Sequence, residues 1–268
     1  MRTIGYSEFQ GLRLRGDPAR DAGFKVVRTD AELHEYEGTS EIARRELVHR
    51  HMSNEITSLD IAADCLAAFS DTPWELRMEL ARQCWDEARH IALLHRRLQE
   101  LGGFKGEFPI AVFEWSVTCA IDNLIGRLAS QNRTFEGGAM DVVGNLISEL
   151  RKAGDDATAD ILEGILADEI QHVRFGNRWI RRWADEDRRT LLKVAMAVRF
   201  VETVNSVLQP SAGVRNEVGK VFDAAETRVP IVNVQDRKLA EFSDDEIHEI
   251  LRQAGFKTLL PTAEAARA

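Results

Sequence analysis

Apolar residues recur along most of the chain at alternating steps of three and four, which is the spacing of one buried face of an α-helix. The 18 glycines and 6 prolines are few for 268 residues, and the long stretches between them keep this spacing. The pattern predicts an all-α protein with four long helices, over residues 40–70, 73–101, 119–153 and 156–184, and a fifth helix over residues 188–208.

Short polar motifs mark the ends of these helices. The T-P-x-E motif at residues 72–75 predicts a capping box with proline at the first helical position, which opens the second helix. Gly154 ends the third helix, and Asp155–Asp156 cap the fourth. Ser243 and Glu246 form another capping box, which predicts a short helix late in the chain.

These helices divide the chain into three parts. We expect an N-terminal arm over residues 1–38, a helical bundle over residues 39–208 and a C-terminal extension with short helices over residues 209–268. The extension is a candidate for a cap over a pocket, for a homodimer interface or for contact with another partner.

A glutamate interrupts the apolar stripe of each long helix near its midpoint, where the midpoints of bundled helices meet. Two of these glutamates belong to a repeated D-E-x-x-H motif, "DEARH" and "DEIQH", which adds a histidine one helical turn later on the same side. We therefore expect six side chains at one level of the core. They are Glu55, Glu87, His90, Glu136, Glu169 and His172.

Four carboxylates in a dry core repel each other, and each loses several kcal/mol of hydration. A fold of ordinary stability, about 5–15 kcal/mol, could not carry that sum without compensating positive charge. Carboxylates combined with imidazoles suit divalent first-row metals. The six residues are therefore predicted to be the ligands and catalytic residues of a two-metal site. The alternative is a bundle in which the acids face a water-filled seam.

A third Glu-x-x-His, formed by Glu46 and His49, is a control for this argument, because such pairs usually lie on solvated faces. Glu46 lies about 180° around its helix from Glu55, so the helical phase predicts that this pair faces solvent.

Four further residues are candidates to support the ligands. Asp86 and Asp168 each precede a ligand glutamate and are predicted to accept the free ring N–H of the histidine on the opposite helix, the alternative being a surface acid. His51 and Asn132 lie one turn before Glu55 and Glu136, where each is either a hydrogen-bond partner of a ligand or a satisfied core residue.

Other residues near the predicted ligands have simpler interpretations. Gly137 and Gly138 directly follow Glu136, where they permit either a local bulge with room for dioxygen or substrate, or close helix packing. Trp85, Phe113 and Trp115 are predicted to be core residues. The two tyrosines lie far from the predicted ligands in sequence, which disfavours a tyrosyl-radical generator.

Composition narrows the partners and the compartment. A net charge of -9 disfavours nucleic acid, although residues 174–183 form a local basic patch. The three cysteines form no C-x-x-C pair, so we expect a reducing compartment without structural disulfides. No apolar run is long enough for a membrane span or a signal peptide, and the cytoplasm is the expected location.

The glutamate set with its paired D-E-x-x-H motifs resembles the ferritin-like di-iron carboxylate superfamily. Its stretches "DEARHIALLHRRLQELGGFKGEFPI", "RTFEGGAMDVV" and "AGDDATADILEGILADEIQHVRFGNRW" look most like a bacterial ferritin-like family called domain of unknown function 455, over residues 40–184. The resemblance implies a ferritin-like four-helix bundle with a crossover between its second and third helices. It also implies the same six metal ligands.

The resemblance implies a di-iron centre, with an Fe/Mn or Mn/Mn pair as alternatives, and dioxygen as co-substrate. We expect an oxygenase or other oxidoreductase that oxidises or hydroxylates a small organic substrate, supplied with electrons by an external donor or electron-transfer partner. A ferroxidase or peroxide-consuming iron protein is the second hypothesis. A helical bundle whose metals only stabilise it is the third.

Overall fold

A computed structural model describes residues 5–27, 32–36, 38–208, 213–215, 221–223 and 232–256. This part of the chain is mainly helical, which confirms the predicted all-α class. Its helices are α1 (Glu41–Ala68), α2 (Trp74–Glu100), α3 (Phe113–Thr118), α4 (Leu124–Leu128), α5 (Glu136–Lys152), α6 (Asp156–Glu186), α7 (Arg189–Leu208), α8 (Val234–Leu239) and α9 (Asp244–Gln253). A π-helical segment, Ala129–Phe135, joins α4 to α5.

The four long helical stretches form a bundle of two hairpins. Helix α1 packs along α2, α5 packs along α6, and α2 packs against α6. Two apolar clusters fill the bundle at different heights. The first contains Ile61, Leu76, Leu80, Phe175 and Trp179, among others. The second contains Met52, Leu94, Leu98, Leu150 and Leu162, among others. Along every helix that contributes to both clusters, a predicted ligand glutamate lies between them.

The predicted helix ends are mostly confirmed. The side chain of Asp155 accepts a hydrogen bond from the backbone of α6 at Thr158, 3.1 Å away, and Ser243 and Glu246 form the predicted capping box of α9. The capping box predicted at residues 72–75 is wrong. The hydroxyl of Thr72 instead donates to the carbonyl of Phe69 at 2.7 Å and closes the preceding turn, so it does not cap α2.

The third long helix begins later than predicted and is composite. A turn over residues 119–123 separates α3 from α4, so the continuous helix starts at Leu124. The guanidinium of Arg127 donates to the carbonyls of Cys119 and Ile121, 3.2 and 2.9 Å away, and this stabilises the turn. Apolar spacing did not reveal the break, because residues on both sides of it remain buried.

Short strands flank the bundle. β1 (Tyr6–Phe9) pairs antiparallel with β2 (Leu12–Arg15), and β3 (Val26–Val27) pairs parallel with β5 (Ile110–Ala111). β4 (His34–Tyr36) pairs parallel with β6 (Gly213–Arg215), which pairs antiparallel with β7 (Val221–Asp223). The N-terminal segment is thus paired with the C-terminal segment, an association that helical spacing along the sequence does not predict.

The structure corrects one predicted core residue. Phe113 and Trp115 are buried as predicted, but the side chain of Trp85 is 66% exposed on the outer face of α2. Among the described residues, no helix combines the length and apolar composition needed to cross a bilayer.

Two glycines should respond oppositely to alanine. A Cβ on Gly176 would lie 2.8 Å from the Cβ of Asn132, so Gly176→Ala is expected to lower the free energy of unfolding by about 1–3 kcal/mol. A Cβ on Gly138 meets nothing within 4 Å, so Gly138→Ala is expected to raise it by about 1 kcal/mol. Urea unfolding of both variants checks this, and equal effects would contradict the packing at Gly176.

Candidate metal centre

The six predicted ligands converge inside the bundle. Helix α1 supplies Glu55, α2 supplies Glu87 and His90, α5 begins with Glu136, and α6 supplies Glu169 and His172. Their ligand atoms form two overlapping groups, and the atoms of each group lie within 4.8 Å of one another. One group is Glu55, Glu87, His90 and Glu169, and the other is Glu87, Glu136, Glu169 and His172. Glu87 and Glu169 belong to both groups.

Water has little access to these side chains. Glu87 and His90 are fully buried, and Glu55, the most exposed of the six, is only 8% exposed. The two apolar clusters close the bundle above and below them. This low exposure disagrees with the alternative in which the acids face a seam open to solvent.

The two histidines are oriented alike. The Nδ1 atom of His90 lies 3.1 Å from Glu55 and 3.2 Å from Glu87, and its Nε2 atom lies 3.2 Å from Asp168. The Nδ1 atom of His172 lies 3.3 Å from Glu169, and its Nε2 atom lies 3.4 Å from Asp86. The predicted contact of each aspartate with the histidine of the opposite helix is confirmed. Each Nδ1 atom faces the glutamates and could bind a metal.

Arginines surround the two aspartates. Arg89 bridges Asp86 and Asp168, at 3.1 and 2.5 Å, and Arg82 donates to Asp86 at 2.8 Å. Burial acts to raise the pKa of Asp86, but hydrogen bonds from His172 and the arginines outweigh it and hold that pKa well below its usual range. Asp86 is therefore an anion that can accept the Nε2–H of His172, which leaves Nδ1 as the atom that could bind a metal.

Amide side chains hold Glu136. Gln83 donates to it at 2.6 Å, Asn132 at 3.1 Å and Gln131 at 3.4 Å. Asn132 is 2% exposed and is a hydrogen-bond partner of a ligand, which was one of its two interpretations. The sequence analysis missed the other two amides. Gln83 lies one turn before Glu87 on the same helical face, so its spacing was a usable signal.

His51 is half-buried, and its ring belongs to neither group of converging ligand atoms found among the described residues. Of the ten predicted ligand and supporting residues, the other nine lie in or directly beside the site.

The prediction that Glu46 and His49 face solvent is wrong, since they are 5% and 0% exposed. The backbone N–H of Gly106 donates to Nε2 of His49 at 2.9 Å, and the rings of Phe24 and Phe108 lie 5.8 and 5.6 Å from the imidazole. The connection after α2 and the N-terminal segment cover this face of α1, which helical phase alone does not indicate. The pair lies outside both groups of converging ligand atoms.

Gly137 and Gly138 were predicted to permit either a local bulge or close helix packing, and the structure shows part of each. A local bulge exists, but it is the π-helical segment over residues 129–135, just before the glycines. The carbonyl of Gly137 accepts a hydrogen bond from Arg237 at 3.0 Å, so Gly137 packs against α8. Gly138 has open space around its Cα.

The buried groups draw protons when no metal neutralises them. Burial raises the pKa values of Glu55 and Glu136 well above their usual range, and neighbouring carboxylates raise them further. Burial acts against protonation of His90, but Glu55 and Glu87 outweigh it and raise its pKa to about 11. The pKa values of Glu169 and His172 are also raised, whereas that of Glu87 is lowered beside the histidines. Without metal, protons therefore neutralise part of the cluster's negative charge.

Comparison with known proteins places the chain in a family. It matches the family described as "Protein of unknown function (DUF455)" over residues 7–248. The chain belongs to the DUF455 family. A relative from Haemophilus influenzae, itself described as an uncharacterized protein, is 33% identical over 95 residues, which are 35% of this chain and 33% of the relative. The match thus spans about a third of that relative's length. No solved structure matches the chain.

We expect any divalent metal that this DUF455 chain binds to compete with protons, so that its binding depends on pH. Five of the six groups have raised pKa values, so the metal-free fold holds more protons than the unfolded chain and loses stability as pH rises. Metal ions must displace those protons. The rise in melting temperature caused by Mn(II) is expected to grow from about pH 5.5 to about pH 8. Calorimetry at several pH values checks this, and a rise independent of pH would contradict it.

Proposed function

We propose that this DUF455 chain binds two divalent first-row metals in a ferritin-like bundle and is a non-heme oxidoreductase. In this proposal it uses dioxygen to oxidise or hydroxylate a small organic substrate. One observation carries the proposal: two groups of converging ligand atoms share Glu87 and Glu169. Shared carboxylates suit a pair of adjacent metals, because one glutamate can bind two ions at once.

The chemistry of the donors fits such a pair. Four carboxylates carry four negative charges, and two divalent ions carry four positive charges, so two ions with neutral imidazoles make the cluster electrically neutral. Oxygen and imidazole donors suit iron and manganese, and they are poor donors for metals that prefer thiolates. We favour two iron ions, and an Fe/Mn or Mn/Mn pair has the same donor preference.

The surrounding side chains support the same assignment. Asp86 and Asp168 lie beside Nε2 of His172 and His90, where each would fix the tautomer of a neutral, metal-bound imidazole, as carboxylates commonly do. Gln83 and Asn132 orient Glu136 through their amide groups. The two apolar clusters exclude water from the carboxylates. These residues preorganise the ligands before any ion binds.

A reduced iron pair would supply the electrons that dioxygen accepts, and the protein would control geometry and access. A cleft of about 330 Å³ opens between α2 and α6, and both Asp86 and His172 line it. Met78 and Phe175 give this cleft an apolar part. We propose that it admits small molecules toward the site and that an external donor or electron-transfer partner supplies the electrons.

A ferroxidase is the second candidate, and it predicts an acidic path that delivers Fe(II). Glu79, Asp86 and Asp168 line the cleft, which favours this candidate in part. However, each of these acids is already paired with an arginine: Glu79 with Arg178, and both aspartates with Arg89. The paired charges make the cleft a poor cation path, so we favour the oxygenase.

Anaerobic loading with Fe(II), followed by exposure to dioxygen, tests the proposal. We expect about two irons per chain, a transient visible absorption after mixing with oxygen, and oxygen consumption that continues only with a reductant and an organic substrate. Rapid Fe(II) oxidation that ends in a ferric mineral core would support the ferroxidase instead. Metal that raises the melting temperature without any reaction with oxygen would support a structural bundle. One metal or none per chain would exclude the two-metal enzyme as proposed.

Single histidine variants give a matched comparison. His90→Ala and His172→Ala are each expected to lower bound metal from about two per chain to about one or fewer, because each removes a nitrogen ligand from one group. His49→Ala is the control, since His49 is equally buried in the third Glu-x-x-His but lies outside both groups. Elemental analysis after dialysis measures the ratio. Equal losses in all three variants would count against the assigned ligands.

A further inference from the structure

We propose that α8 and α9 hold the π-helical segment in its shape and thereby position Glu136, with Arg133 and Arg237 as the positioning residues. This inference rests on the proposed function, because it concerns the metal subsite formed by the second group of ligand atoms. Neither arginine belongs to either group. Arg133 lies within the π-helical segment, and Arg237 lies on α8.

The π-helical segment has the hydrogen bonding of a widened helix. The backbone N–H of Glu136 donates to the carbonyl of Gln131, and the hydroxyl of Thr134 donates to the carbonyl of Ala129 at 2.8 Å. The backbone contact spans five residues, where the corresponding backbone contact of an α-helix spans four. Segments of this kind are rare, and they persist where surrounding structure holds them. This one runs for seven residues, so it needs tertiary support.

The widened turn brings Gln131 to the site. In an α-helix, a residue five positions before Glu136 would point about 140° away from it. In the π-helical segment the amide of Gln131 instead lies 3.4 Å from Glu136 and 3.0 Å from the hydroxyl of Ser58 on α1. If the segment relaxed to an α-helix, Gln131 would rotate away and Glu136 would lose a hydrogen-bond donor.

Arg133 fastens the segment from one side. Its guanidinium donates to Asn177 on α6 at 2.9 Å and to Glu246 on α9 at 2.5 Å. Asn177 in turn donates to the carbonyl of Ala240, which directly follows α8, at 2.9 Å. The π-helical segment, α6 and the C-terminal helices are thus joined by one set of polar contacts.

Arg237 fastens the chain on the other side of Glu136. It is 5% exposed, donates to the carbonyl of Gly137 at 3.0 Å, and binds the carboxylate of Asp141 with two nitrogens at 2.9 and 2.5 Å. A buried pair with two parallel hydrogen bonds has a defined geometry, so together with the Gly137 contact it fixes α8 against the first two turns of α5.

Phe242 links the two arginines. The guanidinium carbons of Arg133 and Arg237 each lie 4.9 Å from the centre of its ring. The same ring belongs to an apolar cluster with Met140 on α5 and Val173 on α6, at the level of Glu136 and His172. Positions 133 and 137, on both sides of Glu136, are therefore attached to one C-terminal unit.

This arrangement predicts an effect on one subsite only. The first group, Glu55, Glu87, His90 and Glu169, takes no ligand from α5. Loosening the C-terminal unit should therefore weaken the metal held beside Glu136 and leave the other unchanged. A general loss of stability would not discriminate between the two subsites.

Two variants test this at different strengths. Glu246→Gln weakens the contact with Arg133, yet glutamine still serves the capping box with Ser243, so α9 should stay folded. Arg133→Met removes the contacts to both Asn177 and Glu246. Anaerobic Co(II) titration followed by visible absorption should show two binding steps. The Kd of one should equal that of the unaltered chain, and the Kd of the other should rise about tenfold or more. In the metal-free protein, amide hydrogen exchange over residues 129–136 should be faster in both variants than in the unaltered chain.

Arg97→Met is the matched control. Arg97 joins the last turn of α2 to Asp155 and Thr158 at the start of α6, both at 2.8 Å. It should leave both Co(II) steps and the exchange of residues 129–136 unchanged.

Two normal steps and normal exchange in the Glu246 and Arg133 variants would overturn the inference while the proposed function stands, as would equal weakening of both steps. Absence of Co(II) binding by the unaltered chain would overturn the proposed function and this inference together.

Discussion

Four buried carboxylates at one height of a helical bundle are the constraint on which the rest of the structure depends. Their mutual repulsion and lost hydration are too costly for a marginally stable fold unless positive charge accompanies them. Histidines one turn from Glu87 and Glu169 supply part of that charge as protons when the cluster is free of metal. Two divalent ions would supply all of it, which is how the proposed metal-dependent function follows from the fold of this DUF455 chain.

The helices are arranged to satisfy that constraint. Two apolar clusters occupy the bundle above and below the carboxylates, so the hydrophobic core is divided by a polar layer. Around the layer, aspartates with arginines orient the histidines, and amides orient Glu136. The π-helical segment brings Gln131 to Glu136, which a regular helix would not do, and the C-terminal helices are attached to the chain on both sides of Glu136. Stability and site geometry are thus produced by the same contacts.

Much of this was predictable from the sequence because periodicity reports which side of a helix is buried. The stripes around Glu55, Glu87 and Glu169 placed these glutamates inward, and the repeated motif placed the histidines and aspartates. Periodicity assumes a regular α-helix whose outer face meets solvent. Its predictions were therefore wrong where the helix is irregular or where another segment covers that face. Gln131 was missed because a π-helical turn changes the phase, and His49 was misplaced because a distant loop covers it. Trp85 shows the converse, an apolar side chain left exposed.

Diffraction from crystals grown with Mn(II), recorded to reveal the anomalous scattering of manganese, tests the central claim most directly. A two-cation centre predicts two peaks inside the bundle. One should lie between Glu55 and His90 and the other between Glu136 and His172, with Glu87 and Glu169 touching both. A bundle whose interior shows no peak while its four glutamates keep the same buried positions would contradict the claim that metal ions neutralise them.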